Sequence, residues 1–187
     1  MLDWQELEQK CMGCTSCQLC ETRTNVVFGV GNREAEIMFI GEGPGEQEDL
    51  QAVPFVGAAG KFLDQMLSII DLNRSNIYIA NIVKCRPPGN RDPLDVEQDA
   101  CIHYLRNQFA LIKPKVVVCL GRIAAKRLLN PTFKMSVEHG LWWCKNGIWM
   151  TALYHPSALL RDPSKRPETF LDLLAIQKKL KEVHANI

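Results

Sequence analysis

The chain of 187 residues contains no apolar run approaching the roughly 20 residues that cross a bilayer, which argues against a membrane span. Its start, Met1-Leu2-Asp3-Trp4-Gln5-Glu6, has neither a basic stretch nor an apolar signal region. No leader is therefore expected, and the protein is read as cytoplasmic. Neither sign of charge is in excess: 22 Lys and Arg stand against 21 Asp and Glu, for a net charge of +1. That balance does not announce nucleic-acid binding and does not exclude it, because a local basic face is enough. Internal repeats and low-complexity linkers are also missing. One domain over 1–187 is expected, with a cysteine-rich arm at about 1–25 and a monomeric state. Hydrophobic residues at 47% and charged ones at 23% suit an ordinary globular protein with a sizeable core.

Cysteine, by contrast, is abundant, with eight in the chain. In a reducing compartment a disulfide framework is disfavoured, and ligation of a metal or cluster is the better reading of close pairs. Cys11, Cys14, Cys17 and Cys20 form an unbroken C-x2-C-x2-C-x2-C run. A two-cluster ferredoxin is disfavoured, since only one such run exists and Glu21 replaces the usual proline after the last cysteine. A zinc site built from two of these and two distant cysteines is an alternative, and simple small buried or surface residues are the bland one. Cys119 lies inside an apolar run and reads as core, and Cys144 in a Trp-rich turn reads as structural. Cys85 sits in a proline-rich loop and Cys101 on the helix after it. A centre joining these two to Cys14 and Cys17 would tie the N-terminal arm to the edge of a sheet.

Apolar runs at 36–40, 76–80, 115–120 and 148–152 read as strands. Helical spacing or composition marks helices near 2–10, 58–70, 94–112, 123–129 and 168–183. The alternation implies an α/β fold: a three-layer sandwich with a central, mostly parallel four-stranded sheet flanked by helices. In such sheets the site lies beyond the carboxyl ends of the strands, which here carry Gly41-Glu42, Asn81, Gly121 and His155. Gly41-Glu42-Gly43-Pro44-Gly45 lacks the lysine and hydroxyl of a P-loop and the third glycine of a dinucleotide fingerprint. A glutamate beside the turn would repel phosphate and so suggests chemistry.

Four ordered segments carry a more specific likeness. Gly41-Glu42-Gly43-Pro44-Gly45-Glu46-Gln47-Glu48-Asp49 is followed by Pro54-Phe55-Val56-Gly57-x-x-Gly60. Asn81-x-x-Lys84-Cys85-Arg86-Pro87-Pro88-x-Asn90-Arg91-x-Pro93 comes next, and His155-Pro156-Ser157-x-Leu159-Leu160-Arg161 closes the set. Together they resemble the family 4, iron–sulfur branch of the uracil-DNA glycosylases over nearly the whole chain. The family commonly has alanine where Gly43 stands. Gly121-Arg122-Ile123-Ala124 running straight into a helix disfavours the related covalent-trapping branch.

The resemblance implies hydrolysis of the N-glycosidic bond of uracil in single- or double-stranded DNA, with free uracil as product, after the nucleotide is flipped from the stack. It implies a structural [4Fe–4S] cluster on Cys14, Cys17, Cys85 and Cys101, with Cys11 and Cys20 as spectators. Glu42 and His155 would be catalytic: Glu42 orienting water or stabilising the sugar cation, His155 donating to uracil O2. Gly41 and Gly43 would shape the pocket and Phe55 would stack on the base. Asn81 would read the base by donating to O4 and accepting from N3–H. Ser157 would contact a flanking phosphate and Leu159 would fill the vacated stack. Lys84, Arg86, Arg91, Arg161, Lys165 and Arg166 are candidate phosphate contacts. Competing expectations are a non-catalytic iron–sulfur DNA-binding module, an electron-transfer protein, and a glycosylase for another deaminated base such as hypoxanthine.

Overall fold

A computed structural model describes residues 2–185; Met1, Asn186 and Ile187, which the expected single domain includes, lie outside the described residues. The six strands are β1 (Val30–Gly31), β2 (Ile37–Gly41), β3 (Tyr78–Asn81), β4 (Val116–Leu120), β5 (Trp143–Lys145) and β6 (Ile148–Leu153). They form one sheet in the order β1-β3-β2-β4-β6-β5. The inner four, β3, β2, β4 and β6, are mutually parallel, and these are the four strands expected from the apolar runs. The expected four-stranded sheet is nonetheless corrected to a mixed six-stranded one. β1 pairs antiparallel to β3 and β5 antiparallel to β6, one at each edge.

β2, β3 and β4 are buried on both faces, as is β6 from Met150 on, so their side chains alternate between two cores. Met38, Ile40, Val117 and Cys119 face one core; Ile37, Phe39, Val116, Val118 and Leu120 face the other. The first core is covered by α1 (Trp4–Met12), α5 (Asp95–Ile112) and α6 (Arg122–Leu128). The second is covered by α4 (Ala58–Ser68), α8 (Pro156–Arg161) and α9 (Arg166–Ala185). This is the expected three-layer arrangement. The remaining α-helices among the described residues are the short α2 (Leu19–Thr22), α3 (Glu46–Gln51) and α7 (Met135–Glu138). Among the described residues no helix is long and apolar enough to cross a membrane.

The N-terminal arm is integral to the first core. Asp3 caps α1 through a reciprocal pair with Glu6, and Leu7, Cys11 and Leu19 are buried in that core. Tyr104 on α5 donates its hydroxyl to the Lys10 carbonyl at 3.2 Å. Connection order then places the site. β2 leads to its neighbour β3, and the chain next crosses to β4 on the other side of β2. The direction reverses between β2 and β4, and the crevice over that point is where an open α/β sheet binds ligands.

Candidate active site

A cavity of about 640 Å³ opens at the carboxyl ends of the four parallel strands, lined in part by Glu42, Phe55, Asn81, Gly121, His155 and Ser157. Residues up to 115 positions apart in the chain thus meet at one edge, as the strand-end argument anticipates. Gly43 also lines it.

Gly41 is required by what crowds it. A Cβ there would lie 2.4 Å from Asn81 Oδ1 and 2.6 Å from Phe55 Cζ. Asn81 is 2% exposed, and its Oδ1 is buried with no hydrogen-bond partner among the described residues. An unpaired buried acceptor is costly, so this amide oxygen in a cavity wall is suited to a ligand N–H. Phe55 belongs to the second core and lines the cavity as well. Its backbone is left-handed, at φ +56°, and its ring centroid lies 5.6 Å from that of His155.

His155 precedes α8 and caps it. The Ser157 backbone N–H donates to its Nδ1 at 3.1 Å, and the Ser157 hydroxyl lies 2.7 Å from the same nitrogen. Nδ1 is therefore an acceptor, and the neutral ring carries its proton on Nε2. Burial, with Arg161 second, pushes the imidazole down to about 4, so it is neutral at pH 7. Gly121, at φ +91°, lets β4 end against this ring: a Cβ there would sit 3.0 Å from His155 Cβ.

Glu42 is partly buried, and its carboxyl is pushed up to about 7, first by burial and then by Asp92, against the opposing pull of Arg122. Arg122 and Asp92 pair with each other beside it, both lining the cavity. Gly43 packs against the next segment: a Cβ there would lie 2.7 Å from Val83 Cγ2, so in this chain glycine and valine are matched.

Several expectations are corrected. Leu159 is 1% exposed in the second core and cannot enter a DNA stack from there; Leu160 beside it is 40% exposed. Lys84 is not a surface phosphate contact. It is fully buried, and its Nζ donates to the Asn81 carbonyl at 3.1 Å and to Gln108 Oε1 at 2.8 Å. Arg91 is held by Glu97 through two bonds of 2.8 and 2.6 Å. Arg86 and Arg161 line or flank the cavity mouth, Arg86 bonding Asn90 at 2.8 Å. Lys165 lies 3.5 Å from Glu168, and Arg166 bonds the Leu159 carbonyl at 3.1 Å. Cys144, read as structural, is exposed on edge strand β5.

A second, small pocket is lined by six cysteines, Cys11, Cys14, Cys17, Cys20, Cys85 and Cys101, so the expected four share it with the two read as spectators. The arm, the loop after β3 and α5 thus deliver their cysteines to one place. Among the described residues no three His, Cys, Asp or Glu side chains stand in metal-binding geometry. Hydrogen-bond donors border the pocket, one of them cationic. Arg23 Nη1 lies 3.2 Å from Cys85 Sγ, and the Lys84 backbone N–H donates to Cys101 Sγ at 3.3 Å. Burial pushes the thiols of Cys11 and Cys101 up to about 12 and about 11. Cys119 lies apart, in the core of β4.

Sequence reasoning assigned no role to Glu48, Asp92, Arg122 or Arg74. Glu48 accepts from the backbone N–H groups of Val56 and Gly57, both at 2.8 Å, and so shapes the loop bearing Phe55. Its place in the first motif was a signal; Arg74, outside every motif, carried none.

Comparison with known proteins adds four findings of one kind. The family model described as the uracil DNA glycosylase superfamily matches residues 28–178. The chain is 45% identical over 172 residues to a type-4 uracil-DNA glycosylase of Archaeoglobus fulgidus, covering 87% of this chain and 86% of that one. Type-4 enzymes of Thermotoga maritima (44% over 155 residues; 81% and 80% covered) and Sulfurisphaera tokodaii (42% over 171; 87% and 78%) are similarly close.

Proposed function

We propose, from the premise that this chain belongs to the uracil DNA glycosylase superfamily, that it is a DNA repair enzyme hydrolysing the bond between uracil and deoxyribose. The observation that carries the reading is the unpaired Asn81 Oδ1 in the same cavity as a neutral His155 and a partly buried Glu42. A flipped uracil would place its N3–H on Asn81 Oδ1 and its O4 near the Asn81 amide N–H. Cytosine lacks the N3 proton and would leave the buried oxygen unpaired, which costs binding strongly. Phe55 would stack on the base.

As the bond from N1 to C1′ breaks, its electron pair goes to the base and negative charge gathers on O2. His155 donates a hydrogen bond from Nε2–H there, an interaction that strengthens as the charge grows. The neutral ring suits this role, since it donates without placing a full positive charge beside the sugar cation left behind. Water then attacks C1′ and loses a proton. Glu42 would orient that water and accept its proton, or stabilise the cation through its charge; both roles need the carboxylate form. Free uracil and an abasic site are the products.

Extrusion leaves a gap in the stack, and Leu160 is the exposed apolar side chain on α8 that would fill it, in place of the buried Leu159. Arg86, Arg161 and Lys165 would meet phosphates. Ser157 would act on His155 through the bond to Nδ1 as well as on a phosphate. A cytoplasmic monomer is proposed.

Cys14, Cys17, Cys85 and Cys101 would hold a [4Fe–4S] cluster. The donor set fits: the thiols line one pocket, and a fully buried Lys84 with no carboxylate in ion-pair range among the described residues stands beside them. A buried ammonium calls for negative charge nearby, which bound thiolates supply. Such a cluster would supply a rigid cross-link between the arm, the loop after β3 and α5; no step of the hydrolysis draws electrons from it.

The test is direct. Purified protein is incubated with single- and double-stranded oligonucleotides containing uracil, and abasic sites are cleaved with alkali. Strand breaks are expected at uracil and not at cytosine, with Asn81→Ala and His155→Ala each losing at least about a hundredfold. No breaks at stoichiometric enzyme would overturn the reading, and breaks at hypoxanthine alone would redirect it.

A further inference from the structure

The loop 54–57 is held by two side chains of opposite charge, and only one of them lines the cavity. On one side Glu48 Oε1 accepts the N–H groups of Val56 and Gly57. On the other, Arg74 donates to the carbonyls of the two preceding residues, from Nη1 to Pro54 O at 2.9 Å and from Nη2 to Phe55 O. The peptide unit joining Phe55 to Val56 is therefore gripped at both ends, its carbonyl on a guanidinium and its N–H on a carboxylate. That orientation aligns the peptide dipole with both charges. Arg74 is itself oriented from outside: its Nε lies 2.9 Å from Asp64 Oδ1 on α4.

The grip matters because Phe55 is in a conformation it would otherwise leave. A left-handed backbone at φ +56° is sparsely populated by aromatic residues and persists only where the surroundings over-determine it. Those surroundings are tight. A Cβ on Gly60 would sit 1.8 Å from Phe55 O, so the backbone of α4 lies directly against that carbonyl and leaves no room for a replacing water. Arg74 is the group that satisfies it. The same backbone conformation sets the ring beside Gly41 and His155.

We propose that Arg74 is a positioning residue for uracil excision: its guanidinium, bridging the Pro54 and Phe55 carbonyls, holds Phe55 in its left-handed turn so that the ring is presented to the flipped base. This rests on the excision reading above. Without the bridge, the turn relaxes toward an ordinary extended conformation and the ring swings off the base plane. A displacement of about 1 Å at a reacting group costs on the order of a hundredfold in rate.

The experiment is a double-mutant cycle on kcat/KM for uracil excision, alongside inhibition by free uracil and affinity for uracil-free DNA. Arg74→Ala should lose about 10- to 100-fold in kcat/KM, weaken inhibition by free uracil by a similar factor, and leave affinity for uracil-free DNA unchanged. In a Phe55→Ala background the same substitution should cost less than about twofold, because the group it positions is gone. Arg74→Lys should recover part of the loss, since an ammonium reaches one carbonyl but not both. If Arg74→Ala does not fold, Asp64→Ala, which frees only Nε, should show a smaller loss with the same dependence on Phe55. Equal losses in both backgrounds, or full activity without Arg74, would overturn the proposal. Wild-type protein inactive on uracil would instead fail the excision reading itself.

Discussion

Glu42→Gln should make the protein more stable and less active, and the two effects should share one pH dependence. The carboxyl is raised from 4.5 to about 7 chiefly by burial, with Asp92 adding to it. A carboxyl with a raised folded-state pKa holds its proton more tightly in the folded chain than in the unfolded one. Its contribution to stability is whole below about 4.5, is lost as pH rises toward 7, and stays lost above that. At 1.36 kcal/mol per pH unit the displacement sets a ceiling of about 3 kcal/mol, and the partial exposure of Glu42 reduces this to about 1–2 kcal/mol. Glutamine keeps the shape and never ionises. The stability gain of Glu42→Gln over wild type should therefore be near zero at about pH 4.5, grow through pH 7, and level off at about 1–2 kcal/mol by pH 8. Every other titrating group is common to both proteins and cancels in the difference. Urea melts of the two proteins at half-unit pH steps measure it, with the midpoint converted through a shared slope. A gain that is flat with pH, or a wild type that is the more stable at pH 8, would show that Glu42 is not desolvated and would remove the basis for its placement in the mechanism.

The excision rate of wild type under single turnover should rise with pH through about 7 as Glu42 ionises, with no loss from His155 until its own proton binds near 4; a rate falling through pH 7 contradicts a carboxylate role. Leu159→Ala should lower the urea midpoint by the equivalent of about 2–5 kcal/mol, the cost of a core cavity. Leu160→Ala should stay within about 0.5 kcal/mol in stability and slow excision from duplex more than from single strands. Lys84→Met removes the buried cation beside the cysteine pocket; iron analysis after reconstitution should find less metal per chain than in wild type, and equal loading would detach Lys84 from that site.

The parallel strands were legible because each is a short, continuous apolar run between breakers, and a strand buried on both faces needs nothing else. β1 and β5 were not, since edge strands of two and three residues have no period to read. The strand-end rule found Glu42, Asn81 and His155 for the same reason: their location follows from where a strand stops. Lys84 was misread because a lysine between Val83 and Arg86 looks like part of a basic surface. Nothing in the sequence says that its ammonium turns inward to a carbonyl three residues back and to Gln108. The doublet Leu159-Leu160 placed two apolar side chains side by side, and only the seating of α8 on the second core decides which one faces water. Arg74 was invisible in principle. Its partners are backbone carbonyls 19 and 20 residues upstream, and backbone atoms leave no mark in a sequence.

The segment from Asn81 to Cys85 gives the cysteine pocket a reason to exist in a hydrolase. Asn81 presents its side chain to the active cavity while Cys85 presents its thiol to the other pocket, four residues on. Between them, Ile82 N–H bonds the Gly41 carbonyl at 2.9 Å and Val83 N–H bonds the Glu42 carbonyl at 3.1 Å. Lys84 bonds Cys101 Sγ through its backbone and the Asn81 carbonyl through its side chain. If Asn81 reads the base as proposed, its amide oxygen, unpaired among the described residues, has no partner of its own to hold it still. Its backbone must then do so, and here that backbone is fixed by the Gly41 and Glu42 carbonyls on one side and through Lys84, beside the cysteines, on the other. Rigid discrimination between two bases differing in hydrogen-bond polarity needs such fixing, because an amide free to rotate would accept either. The proposed cluster would then serve selectivity through geometry, and its loss should blur the choice of base before it abolishes the fold.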